Sequence, residues 1–237
     1  MKTNVIILGG GTGSRMKTDL PKQFIEIDGV PVIVSTIRNF QNNSRINGIT
    51  VVCLKDWMAY LQELTAKYRL DKVSNIVEGG ATGHDSARNG VLSLSKEMGE
   101  DDIVVIHDAA RPLISQAIIN DMLDTAIRNG NACTAIPVHD TIIVTDDRQS
   151  GDTQIERDKI MRVQTPQAYR YGIISALYRR ADEENRHDFI YANTMAITYG
   201  IRIYFSVGSD CNIKLTTKED LAYYKALKQF DEEELSK

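Results

Sequence analysis

The stretch Asn4–Phe24, NVIILGGGTGSRMKTDLPKQF, decides the fold class. Four apolar residues, Val5–Leu8, run straight into a cluster of glycines, with Arg15 and Lys22 close behind. A strand that ends in glycine and leads towards a helix lays backbone N–H groups where an anion can sit. Glycine suits such a turn because side chains would block close approach and because the backbone needs conformations that other residues resist. Two standard phosphate patterns fail here. A P-loop ends in Gly-Lys-Ser/Thr, whereas this loop ends Gly13-Ser14-Arg15. The dinucleotide fingerprint needs glycine where Ser14 stands, which argues against a nicotinamide-dependent enzyme. What remains is a nest of amides beside two cations, with Pro21 stiffening the approach to Lys22. Fixed cations next to such a nest suit a triphosphate, whose charge must be neutralised when bound and during transfer.

Outward from this loop, short β-branched runs recur at Ile49–Leu54, Ile103–His107 and Cys133–Val138. Longer stretches with helical spacing lie between them. Ile33, Ile37 and Phe40 share one face, Trp57–Tyr68 reads as a helix, and Ala117–Asn129 carries Ile118, Met122, Ala126 and Ile127 in one stripe. Strand alternating with helix predicts βαβ units and an α/β fold around a mostly parallel sheet. Strands that are apolar throughout imply helices on both faces. One region breaks the rhythm. From about 140 to 165, two β-like runs flank a polar middle, which predicts a hairpin-like arm projecting from the sheet. The tail, Lys218–Lys237, has helical spacing at Leu221, Tyr224 and Leu227 and ends in charge. The expectation is a single domain spanning residues 1–237.

Composition bounds the function. The 237 residues are 42% hydrophobic and 25% charged, enough apolar content for a substantial core. A net charge of −4 argues against a general nucleic-acid binder. No long uncharged apolar run predicts a membrane span, and the N-terminus lacks a signal-peptide pattern. The three cysteines show no metal spacing. Cys53 and Cys133 sit in apolar runs and are expected in the core, and a reducing cytoplasm is the expected compartment.

GGGTGSRM at Gly9–Met16 and PKQF at Pro21–Phe24 open an ordered series of motifs. It continues with GG at Gly79–Gly80, HDAARP at His107–Pro112, DTI at Asp140–Ile142, QTPQ at Gln164–Gln167 and NIKLTTKEDL at Asn212–Leu221. Taken together over almost the whole chain, this series resembles the cytidylyltransferases that activate polyol phosphates. That family includes the methylerythritol phosphate and ribitol 5-phosphate enzymes. The resemblance implies a Rossmann-like nucleotidyltransferase fold: a mostly parallel twisted sheet, helices on both faces and a protruding β-arm through which a homodimer forms. It implies CTP as donor, a polyol phosphate as acceptor and a magnesium ion.

The resemblance also assigns residues. The nucleotide would lie against Leu8, Gly9, Gly10, Gly11 and Gly13, with Gly80, Ala81 and Ser86 bordering the cytosine and Asp108 and Ala109 closing the strand end. Arg15, Lys22, Arg157 and Lys214 would carry catalysis. Arg157 would reach the acceptor phosphate across a dimer interface, with Thr165 beside it, and Asp108 would hold the metal. From the residues themselves, Asp108 could equally cap a strand-end turn, Arg111 could anchor that turn or touch substrate, and Arg157 could be a solvated charge. Thr217 and Asp220 read as a capping box opening the last helix.

Two departures stand out. Gly83 occupies a place where the family often has arginine, and Ile190-Tyr191-Ala192-Asn193 replaces a Thr-Asp-x-Ala stretch near the acceptor. The implied reaction is a single in-line displacement at the α-phosphorus of CTP. A phosphate monoester is already ionised at neutral pH, so no general base is required. The segments Pro21–Ile37 and Leu54–Met58 look more like the ribitol enzymes, which favours D-ribitol 5-phosphate over 2-C-methyl-D-erythritol 4-phosphate. A module that binds nucleotide without turnover is the reading from another class.

Overall fold

The computed structural model describes residues 1–11 and 20–235. The chain opens with β1 (Thr3–Gly9) and, past a 3-10 turn at Lys22–Phe24, a two-residue pair β2 (Glu26–Ile27) and β3 (Val30–Pro31). Three strand–helix repeats follow: α1 (Val32–Gln41) and β4 (Gly48–Cys53), α2 (Met58–Lys67) and β5 (Val73–Glu78), α3 (Gly83–Ser93) and β6 (Ile103–Asp108). Next come α4 (Gln116–Asn129), β7 (Asn131–Pro137) and a small hairpin, β8 (Ile142–Val144) with β9 (Thr153–Ile155). The chain closes with β10 (Met161–Arg170), α5 (Tyr171–Glu183), α6 (Ala192–Thr198), β11 (Phe205–Val207) and α7 (Lys218–Leu235).

Seven strands form the central sheet in the order β11-β7-β10-β6-β1-β4-β5. All neighbours are parallel except β10, which runs antiparallel to both β6 and β7. The mostly parallel sheet expected from the sequence is present. The apolar run of β1 is explained by two cores. Val5 and Ile7 join residues of α1, α2 and α4 on one face. Ile6 joins residues of α3, α5 and α6 on the other. Each face therefore removes alternate side chains of the same strand from water. Cys53 and Cys133 are fully buried, as expected for small core residues.

The sequence reading ended the arm at about 165, but residues 161–165 lie in β10 of the central sheet. The reason is chemical. Gln164 and Thr165 are buried with their polar atoms paired to Ser209, Asn212 and Asp108, so a polar run occupies the sheet interior without alternation. The hairpin β8–β9 is what remains of the arm. Its Ile143, Val144 and Ile155 are 55%, 44% and 38% exposed.

α3 approaches the sheet closely because Gly90 carries no side chain. A Cβ there would sit 2.6 Å from Ile6 Cγ2 and 3.0 Å from Val52 Cγ2. Gly90→Ala is expected to destabilise by about 1–3 kcal/mol from overpacking, outweighing the better helix propensity of alanine. The denaturant midpoint measures this. A midpoint at or above the parent's would mean that α3 can lift without cost.

Candidate active site

Parallel pairing brings the carboxyl ends of β1, β4, β5 and β6 to one edge of the sheet, where open α/β folds bind ligands. Three loops meet there. Ala109 N donates to Leu8 O at 3.0 Å and Gly79 N to Cys53 O at 2.8 Å, tying the strand ends together. The Gly10 position is tight: a Cβ would lie 3.0 Å from Ser86 Oγ. Ser86 Oγ in turn accepts from Gly80 N at 3.1 Å. Thr82 caps α3 through a reciprocal box with Asp85, which fixes the helix start and hence Ser86.

These loops open onto a cavity of about 630 Å³. Of the expected site residues, Leu8, Gly10, Gly11, Lys22, Gly80, Ala81, Ser86, Asp108, Ala109, Thr165 and Lys214 all line it. Gly9 lies beneath it, its carbonyl accepting from Gln23 Nε2 at 2.6 Å. Gly13 and Arg15 lie outside the described residues. Arg157 is not among the lining residues; its side chain is 64% exposed beside Asp158.

Lys22 is presented by the 3-10 turn, whose next two residues are anchored. Gln23 holds the Gly9 carbonyl, and buried Phe24 stacks on Trp57 at 5.0 Å and meets Tyr60 at 5.4 Å. Lys214 is positioned from the far side. Leu215 N donates to Ala110 O at 2.8 Å, and Arg111 reaches Asn212 O at 2.7 Å. Asn212 Nδ2 donates to Thr165 O at 2.8 Å. The NIK, HDAARP and QTPQ segments are thus stapled to one another. Arg111 is an anchor of this turn. Thr217 and Asp220 do form the expected capping box.

Asp108 is the electrostatic centre. Its Oδ1 accepts from Lys214 Nζ at 2.9 Å, and its Oδ2 from Arg111 Nε at 3.1 Å and Thr165 Oγ1 at 3.4 Å. Burial would raise its pKa, but the Lys214 and Arg111 charges outweigh that and hold it at about 2. The carboxyl is therefore ionised at all working pH values and cannot serve as a proton donor. Two cations against one carboxylate leave the cluster net positive.

His107, next in chain to Asp108, is not part of the cavity. Its ring is fully buried against Phe40 and donates from Nε2 to Arg111 O at 3.1 Å. Burial depresses its pKa to about 4, against the Arg111 carbonyl and the Asp108 charge. The unfolded chain, with histidine near 6.5, takes up a proton first as pH falls. Stability from this group is thus complete above pH 6.5 and is lost between 6.5 and 4, by roughly 3 kcal/mol. His107→Gln is expected to flatten the loss of unfolding free energy over that window, leaving the contribution of His84, whose pKa burial also lowers. An unchanged slope in the variant would refute the assignment.

Sequence reasoning missed several lining residues. Gln167 lines the cavity and accepts from Asn193 N at 3.2 Å. His84, Tyr178, His187 and Phe189 also line it. In the sequence His84 stands two residues before the expected Ser86 with no motif of its own, and no motif marks Tyr178.

The model for the family described as IspD, 2-C-methyl-D-erythritol 4-phosphate cytidylyltransferase, matches residues 3–229. The chain belongs to this family. Among its relatives, a ribitol-5-phosphate cytidylyltransferase of Lacticaseibacillus paracasei is 37% identical over 223 residues, covering 93% of this chain and 95% of that protein. A 2-C-methyl-D-erythritol 4-phosphate cytidylyltransferase of Clostridium novyi is 38% identical over 223 residues, covering 93% and 94%. The crystal structure of a 4-diphosphocytidyl-2C-methyl-D-erythritol synthase from Anaerococcus prevotii superposes with a TM-score of 0.81 at 25% identity, covering 96% of both chains. The overall fold of this chain is thus shared with that structure over nearly its whole length.

Proposed function

We propose that this chain transfers the cytidylyl group of CTP to the phosphate of a polyol phosphate, with D-ribitol 5-phosphate as the favoured acceptor. The observation that carries the reading is the convergence of Lys22, Lys214, Asp108 and Thr165 with the Gly10–Gly11 and Gly80–Ala81 loops in one cavity. An acceptor phosphate oxygen attacks the α-phosphorus of CTP, the bond to the bridging oxygen breaks, and pyrophosphate leaves with the electron pair. Backbone amides of the glycine loop and the Lys22 ammonium hold the triphosphate, with Arg15 as a further cation. Lys214, poised on Asp108, turns to the phosphates, while Arg111 keeps the carboxylate paired. Thr165 and Arg157 serve the acceptor phosphate. The groups named are fixed charges and donors, which is what a reaction between two anions needs.

An ionised carboxylate at a strand end, beside a phosphate site, is the donor type that magnesium takes together with phosphate oxygens. Asp108 would hold the ion, which when bound neutralises charge on the triphosphate.

Arg157 sits on the hairpin side of the chain and outside the cavity, so we assign its role to a homodimer formed through the arm. The exposed Ile143, Val144 and Ile155 support that surface. The three unpaired cysteines support a cytoplasmic setting. Among the described residues no helix is long and apolar enough to cross a membrane.

A second acceptor, 2-C-methyl-D-erythritol 4-phosphate, is favoured by the Clostridium novyi relative. Pyrophosphate release measured with CTP, ATP, GTP and UTP against a panel of polyol phosphates decides. The expected result is release with CTP alone and fastest with D-ribitol 5-phosphate. CTP binding without release on any acceptor would instead make the chain a nucleotide-binding module.

A further inference from the structure

The cavity has a recess that the proposed chemistry does not use. His84 and Tyr178 line it, at 2% and 0% exposure. Neither ring nitrogen of His84 nor the Tyr178 hydroxyl has a hydrogen-bond partner among the described residues. Their rings lie 5.1 Å apart, and Phe189 lies 5.5 Å from His84. Buried polar groups are nearly always paired. Two unpaired neighbours at one cavity wall mark a place where a polar group of a ligand would complete their bonding.

The chemistry of that wall selects the group. Burial lowers the His84 pKa and raises that of Tyr178, so both side chains are neutral. A neutral imidazole and a phenol offer donors and acceptors but no charge. His187 and Asp188 line the same cavity, with Asp85 3.7 Å from His187 Nδ1, so the charges near this wall are already paired. Phe189 and Ile190 add apolar surface. The match is an uncharged carbon chain bearing hydroxyls.

Position selects the substrate. His84 and Ser86 are two residues apart on α3, about 200° around the helix. Ser86 faces Gly10 and Gly80, the side expected to hold the base. His84 faces the other way, towards Tyr178 of α5 and Phe189. Ala192, Gln167, Thr165 and Lys214 line the same cavity. We propose that His84 and Tyr178 bind the hydroxyl-bearing end of the acceptor, distal to its phosphate, and so determine which polyol is used. The assignment rests on the cytidylyl-transfer reading.

Tyr178→Phe removes one oxygen, and His84→Phe replaces one flat ring by another. Steady-state kinetics with CTP and D-ribitol 5-phosphate, together with thermal unfolding, test both. The expected result is a rise in acceptor KM of about tenfold or more in each variant, as for the loss of one or two hydrogen bonds. KM for CTP should stay within about twofold, and the thermal midpoint should hold or rise, because an unpaired buried group has been removed. An unchanged acceptor KM in both variants would overturn the proposal. So would a rise confined to CTP, which would give the recess to the nucleotide. A marked fall in midpoint with both KM values unchanged would make the pair structural and overturn it too. A parent enzyme inactive on every polyol phosphate would sink the cytidylyl-transfer reading itself, a result that needs no variant to be seen.

Discussion

Lys22→Ala is expected to lower kcat by about a hundredfold or more and to leave the thermal midpoint close to the parent's. The size follows from what the ammonium is asked to do. Negative charge moves onto the departing pyrophosphate as the bond to the α-phosphorus breaks, and a fixed cation in a partly dry cavity stabilises that charge more than it stabilises bound CTP. The loss should therefore fall on kcat as well as on kcat/KM. A variant with raised KM for CTP and unchanged kcat would show that Lys22 binds both states equally. The midpoint is expected to hold because the neighbours of Lys22 carry the packing. Gln23 bonds the Gly9 carbonyl and Phe24 is buried between Trp57 and Tyr60, and neither depends on the lysine. Near-parental turnover would remove Lys22 from the site.

The contrast between Lys22 and its surroundings shows what could be read from residues alone. The glycine cluster after an apolar run announced the strand β1 and its carboxyl end, where Gly10 and Gly11 line the cavity. β1, β4 and β6 were legible for the same reason: buried on both faces, they carry no polar alternation. β10 was not legible. Its Gln164, Thr165 and Gln167 are buried by virtue of partners distant in sequence, namely Ser209, Asn212, Asp108 and Asn193. A polar run whose partners lie elsewhere in the chain looks like surface. α3 was obscured differently. It packs through Ala87, Gly90 and Val91, and the two small residues blur the hydrophobic stripe while letting the helix lie close against the sheet. At the site, the charged members Lys22, Asp108 and Lys214 could be named from motifs. The uncharged wall of His84, Tyr178 and Phe189 could not, since only the approach of α5 to α3 brings it together.

Arg157 poses a geometric problem with a sharp experimental answer. Within one chain it is 64% exposed on a 3-10 turn beyond β9 and outside the cavity, where an isolated surface arginine has little effect. If a second copy docks through the exposed Ile143, Val144 and Ile155, the same side chain can enter the partner's acceptor site as a desolvated cation on phosphate. Arg157→Ala is then expected to raise acceptor KM about tenfold or more while KM for CTP stays near the parent's. Mixing decides between one chain and two. Lys22→Ala protein lacks a working cradle but keeps the arm, and Arg157→Ala protein keeps the cradle but lacks the arm cation. After subunit exchange about half of the dimers are mixed. Each mixed dimer has one site with Lys22 from one chain and Arg157 from the other, so with the acceptor held well below its parental KM, where both single variants are slow, roughly a quarter of parental activity should return. No recovery, with mixed dimers demonstrably formed, would place Arg157 in its own chain's service or in none. Ile143→Asp supplies the matching control: it should yield monomers by sedimentation and lose acceptor use even though its Arg157 is intact. A monomeric variant with parental acceptor KM would show that the arm is not part of the site.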